Sequence, residues 1–143
     1  MVKRYKISAY ESKWYEFVSA HSSAITSCND LNTAYNVHSL GHQPLWCVSK
    51  YPTAVDDLQL RYLRLDDSPF VGLSDHTANV LTGAAAVAAG ASIVESHIRL
   101  DYCEKDNPDY AHSLPADQEC RDDWAVPHYA QYVRNLREVE RML

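Results

Sequence analysis

An alanine-rich run at residues 77–89, set between two short apolar segments that each lead into a histidine, limits this chain more than any other feature. Gly72-Leu73-Ser74-Asp75-His76-Thr77 stands on one side and Glu95-Ser96-His97 on the other. Small residues let a helix lie close against a sheet, and Gly90 supplies its stop. His76 and His97 are 21 positions apart, room for a turn, a helix of about three turns and a returning strand, the span of one βα unit. Neighbouring parallel strands lie about 4.8 Å apart, so imidazoles at the same end of both are placed to share one cation. In parallel βα folds the carboxyl ends of the strands carry the chemistry, and both histidines are expected there.

The rest of the chain keeps this alternation. Candidate strands are residues 4–8, 24–27, 45–49, 70–74 and 92–96; candidate helices are residues 13–20, 55–65 and 77–89, with a poorer one at 31–40 ending at Gly41. A helix at 128–143, with Arg and Glu alternating on its exposed face, closes the chain. Between the last strand and that helix, residues 99–117 read as a long polar loop, a length that marks function or disorder. Five βα units and a C-terminal helix give a parallel α/β fold in a single domain, residues 1–143.

Composition narrows the function classes. A hydrophobic content of 46% over 143 residues supports one sizeable core. A formal charge of −6 argues against a broad nucleic-acid surface, and the expectation is no nucleic-acid partner. Four cysteines without C-x-x-C spacing read as reduced thiols. Met1-Val2-Lys3-Arg4 leads into a strand pattern without a signal-peptide core, and the longest apolar run, around residues 83–91, is too short to span a bilayer. A cytoplasmic enzyme without a membrane partner is expected.

Several stretches carry a family resemblance. Residues 71–91, VGLSDHTANVLTGAAAVAAGA, are followed by SIVESHIRLD and DNPDYAHSLPADQ. These resemble the G-x-S-D-H-T run, alanine-rich helix, E-x-H-F-T-L-D, P-G-P-D and S-L-x-P elements of the sialic acid synthase family, enzymes that condense phosphoenolpyruvate with an amino sugar. Leu45-Trp46-Cys47-Val48-Ser49-Lys50-Tyr51-Pro52-Thr53 is similar to the family's H-C-x-[NS]-x-Y-P-T strand and loop, and Tyr5-Lys6-Ile7-Ser8 to its F-K-I-[GP]-S strand. The resemblance is strongest over residues 71–115 and weakest over 12–42. It implies a partial (β/α)8 TIM barrel, since a complete one needs about 250 residues. By this comparison the first three strands and the C-terminal antifreeze-like domain lie outside the chain.

The resemblance also implies site roles. His76 and His97 are the metal ligands, for Mn²⁺ or Mg²⁺, although nitrogen donors equally accept zinc or cobalt. Lys6, Thr26 and Ser74 hold phosphoenolpyruvate, Ser49 and Tyr51 line the substrate pocket, and Asp109 faces the acceptor sugar as a catalytic residue. His21, His38, His42, His112 and His128 match no motif and read as structural or solvent-exposed. Departures from the pattern are Thr26-Ser27-Cys28-Asn29 in place of S-T-G-M, Ser96 in place of a basic residue, and Asn107 in place of the first glycine of P-G-P-D. The implied activity is condensation of phosphoenolpyruvate with an N-acetylhexosamine-type aldose to a nonulosonic acid and phosphate. Five open strands would leave unpaired edges, so a homo-oligomer or a partner that supplies the missing strands is expected. The alternatives are half of a split synthase, an inactive partial barrel acting as a binding or assembly module, and another metal-dependent barrel enzyme.

Overall fold

A computed structural model of the chain describes residues 4–8, 11–19, 24–100, 102–116 and 128–143. Six strands form one parallel sheet: β1 (Tyr5–Ile7), β2 (Ala24–Cys28), β3 (Gln43–Cys47), β4 (Gly72–Asp75), β5 (Ile93–Arg99) and β6 (Ser113–Pro115). Their spatial order is their chain order, β1-β2-β3-β4-β5-β6. Every crossover therefore steps in the same direction, with no reversal of the kind that makes a doubly wound sheet, and this is the winding of a barrel arc.

Helices α1 (Tyr15–Ser19), α2 (Leu31–Ser39) and α3 (Thr82–Ala88) lie in the crossovers, and α4 (His128–Glu140) follows β6. The core lies between sheet and helices, where Ala24, Cys28 and Leu73 meet Ala34, Val37 and Ala86. Period-two alternation then assigns the other face of the sheet to Lys6, Ser27, Cys47, Ser74, Glu95 and His97. No helix among the described residues is long and apolar enough to cross a membrane.

The expected elements need four corrections. The sheet has six strands rather than five, because Ser113–Pro115 pairs with β5 inside the stretch read as a loop. The helix expected at 55–65 is two 3₁₀ turns, Val55–Asp57 and Leu60–Arg64. Gln59 between them has φ 46°, and the Trp46 indole nitrogen donates to the Leu58 carbonyl at 2.7 Å, so that oxygen serves the sheet and not a helix. The alanine-rich helix starts at Thr82 and not at residue 77, because side chains capture the preceding amides. Thr77 N donates to Asp75, Asn79 N to Thr77 Oγ1 and Leu81 N to Asn79. Finally, β5 runs on to Arg99, so His97 lies within the strand and not beyond its end.

Two endings agree with the sequence. Gly41 and Gly90 have φ of 84° and 101° just past α2 and α3, the left-handed region that glycine enters most easily. Asp30 caps α2 by accepting from Thr33 N at 2.8 Å, which helps hold its carboxyl below the usual range.

Candidate metal and substrate site

At the carboxyl end of the sheet three imidazoles converge. His76 directly follows β4, His97 lies in β5, and His112 ends the 3₁₀ turn Tyr110–His112 that leads into β6. Ring centroids are 5.1 Å apart for His76 and His97, 4.5 Å for His97 and His112, and 5.7 Å for His76 and His112. Tyr51, reached through the loop after β3, lays its ring 4.4 Å from His76 and 5.1 Å from His112. Asp109 adds a carboxylate, with Oδ2 3.8 Å from His97 Nδ1 and Oδ1 3.3 Å from His112 Nε2. Ligating atoms of His97, Asp109 and His112 all lie within 4.8 Å of one another.

Burial lowers two of the three imidazoles. His76 is pushed down to about 4, first by burial and next by the neighbouring His97 charge, so near neutral pH its ring offers a lone pair. Burial likewise lowers His112, with His97 adding to the effect and Asp109 opposing it. Neutral nitrogens gathered around a carboxylate are the donor chemistry a divalent cation needs.

Beside the imidazoles lies a polar network on the same sheet face. Lys6 Nζ sits 2.8 Å from Glu95 Oε2 and donates to Ser27 Oγ at 3.3 Å, while Ser74 Oγ donates to the same Glu95 oxygen at 2.8 Å. Burial acts to raise Glu95, but the hydrogen bond and charge of Lys6 and the Ser74 hydroxyl prevail, and its carboxyl stays below the usual value. A carboxylate thus faces the lysine expected to meet phosphate. Ser49 Oγ is buried and has no hydrogen-bond partner among the described residues.

The sequence-derived site residues separate into two groups. His76, His97, Asp109 and Tyr51 come together, and Lys6 and Ser74 join through Glu95. Thr26 does not. It is fully buried on the helix side of the sheet, where its hydroxyl is 2.8 Å from His42 Nδ1. His42 Nε2 is 3.2 Å from the Tyr15 carbonyl, which only accepts, so Nε2 carries the proton and Thr26 donates to Nδ1. His21 lies outside the described residues.

Sequence reasoning missed three residues. His112, set aside as structural or exposed, belongs to the cluster, and the D-x-x-H spacing from Asp109 across one 3₁₀ turn was the available signal. Glu95 was visible only as part of a motif. Asp75 is 1% exposed and accepts from Thr77 and from Tyr132 Oη at 2.9 Å, with Thr82 Oγ1 in closer contact still. Burial and the Asp75 charge push the Tyr132 hydroxyl upward, so it stays a donor. A Cβ on Gly83 would overlap the Tyr132 ring, and that missing side chain lets α4 reach the residue next to His76.

Comparison with known proteins decides the family: the NeuB family model matches residues 1–122. The chain belongs to the NeuB family. It is 38% identical over 102 residues to an uncharacterized protein of Methanocaldococcus jannaschii, covering 69% of this chain and 27% of that protein. It is 35% identical over 103 residues to the N-acetylneuraminate-9-phosphate synthase of Homo sapiens, again 69% of this chain and 26% of the relative. A shorter match, 43% over 60 residues, joins 40% of this chain to 18% of the pseudaminic acid synthase of Campylobacter jejuni. The fold superposes on the N-acetylneuraminic acid synthetase of Leptospira borgpetersenii, solved with citrate, with a TM-score of 0.72 and 21% identity over 99% of this chain and 50% of that one. The chain thus spans about a quarter of the curated relatives and half of the solved one, and its architecture is an arc of a TIM barrel. Tyr132 and the rest of α4 lie beyond the family match.

Proposed function

We propose that this NeuB-family chain carries the reaction face of a sialic acid synthase-like enzyme, which condenses phosphoenolpyruvate with an N-acetylhexosamine-type aldose to give a nonulosonic acid and phosphate. The observation that carries the reading is the imidazole–carboxylate cluster of His76, His97 and Asp109 beside Lys6, Ser74 and Glu95. One group suits a cation and the other an anion, at the end of the sheet where βα barrels do chemistry.

Lys6, oriented by Glu95, would bind the phosphate, with Ser74 and Ser27 as hydroxyl donors. The unpartnered Ser49 hydroxyl and the Tyr51 ring line the acceptor side, and Asp109 accepts from a sugar hydroxyl. Thr26 acts at one remove, through His42, by fixing the end of β2. A divalent ion held by His76 and His97, Mn²⁺ or Mg²⁺, supplies Lewis acidity at the acceptor aldehyde when bound. C3 of phosphoenolpyruvate forms the new bond to the aldehyde carbon, water adds at C2, and phosphate leaves by C–O cleavage. The residues supply orientation and charge. Phosphate release from phosphoenolpyruvate with candidate N-acetylhexosamines, measured with and without Mn²⁺, tests the reading: release that needs both sugar and metal and is lost in His97→Ala supports it, and release indifferent to all three contradicts it.

A second reading rests on strand number. A closed barrel has eight strands, whereas six are present among the described residues and β1 and β6 each pair on one side only. Turnover would then need a second copy or a partner across these edges, as in a split synthase, and a chain that never meets one would serve as a binding or assembly module. Buried, unpaired Cys28 and Cys47 suit a reducing, cytoplasmic setting. Light scattering alongside the assay separates these cases, since a compact monomer with full turnover rules out the need for completion.

A further inference from the structure

His112 is only 3% exposed, yet among the described residues neither ring nitrogen has a partner at good hydrogen-bond geometry. A buried polar group is normally partnered, because leaving it so forfeits its bonds to water. Its closest polar contact among the described residues is Asp109 Oδ1, 3.3 Å from Nε2, a marginal contact whose charge favours the protonated ring. Nor is the ring loosely placed. Arg99 donates to the Tyr110 carbonyl at 3.1 Å and to the Ser113 carbonyl, stacks 4.3 Å from the Tyr110 ring, and so clamps the turn bearing His112. Ser113 Oγ donates to the Asp109 carbonyl at 2.6 Å and fixes the other end.

We infer that His112 is a direct ligand of the cation, a third imidazole beside His76 and His97, with Asp109 as the carboxylate donor. Ligands held about 2.1 Å from one ion lie roughly 3.0–3.4 Å from each other. Asp109 Oδ1 stands 3.3 Å from His112 Nε2 and Oδ2 stands 3.8 Å from His97 Nδ1, and donor atoms of the three residues lie within 4.8 Å of one another, so side-chain rotation has to close the set on one ion. The Asp109 side chain is 61% exposed and free to supply that movement. This deepens the proposed function and rests on its placement of a cation at His76 and His97. Its added content is chemical: a further imidazole shifts the centre toward nitrogen-preferring ions, so Co²⁺ and Zn²⁺ bind more tightly than Mg²⁺ or Mn²⁺, and they bind without substrate.

Co²⁺ titration of the full chain, followed by calorimetry and by hyperfine-shifted imidazole N–H signals in proton NMR, tests it. The wild type should bind one ion with three shifted imidazoles. His112→Leu should lose one of them and weaken Co²⁺ at least about tenfold, as losing a ligand costs no less than losing a group that supports one. His112→Gln, which keeps a polar side chain, and Asp109→Asn, at an exposed position, should weaken binding in the same direction and cover a folding failure of the leucine variant. Unchanged affinity and an unchanged set of shifted signals in the His112 variants, with binding lost in His76→Ala and His97→Ala, overturns this inference and leaves the proposed function standing. Co²⁺ affinity untouched in all of these variants overturns both.

Discussion

His42 and His112 are equally hidden, each 3% exposed, and their surroundings are opposites. His42 sits on the helix side of the sheet with Nδ1 on the Thr26 hydroxyl and Nε2 on the Tyr15 carbonyl. His112 sits at the carboxyl end beside two other imidazoles, and among the described residues neither nitrogen has a partner at good hydrogen-bond geometry. Partnered burial builds structure, whereas unpartnered burial is a cost that a fold keeps only when something else uses the group. Burial alone therefore does not separate a structural histidine from a functional one; the accounting of its two nitrogens does.

The sharpest way to break this comparison is to remove partners and follow stability in the metal-free chain. The largest effect is expected at Asp75, whose carboxylate takes Thr77, Thr82 and Tyr132 together. Asp75→Ala should cost about 3 kcal/mol in urea unfolding, because several donors are stranded at once. His42→Leu should cost about 2 kcal/mol, since it strands Thr26 and the Tyr15 carbonyl. His112→Leu should do the reverse and leave the metal-free protein unchanged or up to about 1 kcal/mol more stable, because an unsatisfied polar ring gives way to an apolar side chain. A loss at His112 as large as that at His42 would erase the distinction.

Acid gives a further test. His76 is held down to about 4 and His42 is lowered in the same direction, both chiefly by burial. Between pH 6.5 and about 4 the unfolded chain takes up protons that these folded histidines refuse, so metal-free stability should fall as pH drops across that window, and the His76 share should level off below it. Urea midpoints measured from pH 7.5 to 4 check the sign, and a midpoint that rises as pH falls through 6.5 contradicts it. The smallest loss is expected away from both histidines. Asp30→Ala removes the cap of α2, for a cost of about 1 kcal/mol with no change in Co²⁺ affinity.

Much of the fold was legible in the sequence for a physical reason: parallel strands and an alanine-rich helix ending at Gly90 each impose a periodicity. β6 escaped because three residues, one of them proline, show no alternation. The 3₁₀ segment escaped because its course depends on Trp46, which lies against Tyr62 and Phe70 and takes the Leu58 carbonyl. At the site, motif residues His76, His97 and Asp109 were readable, but the direction of Thr26 was not. In Ala-Ile-Thr-Ser-Cys neither alternate row is clearly polar, so the strand was visible while its faces were not. His112 stayed hidden since only the turn beside β6 brings it within reach of His97.

The most direct measurement is anomalous diffraction from crystals of the full chain grown with Co²⁺. One peak is expected about 2.1 Å from ring nitrogens of His76, His97 and His112 and from a carboxylate oxygen of Asp109, with no peak at His42. A chain that takes no ion there, or that binds it at His76 and His97 with the His112 ring still unpartnered, would contradict the claim that unpartnered burial marks the functional histidine.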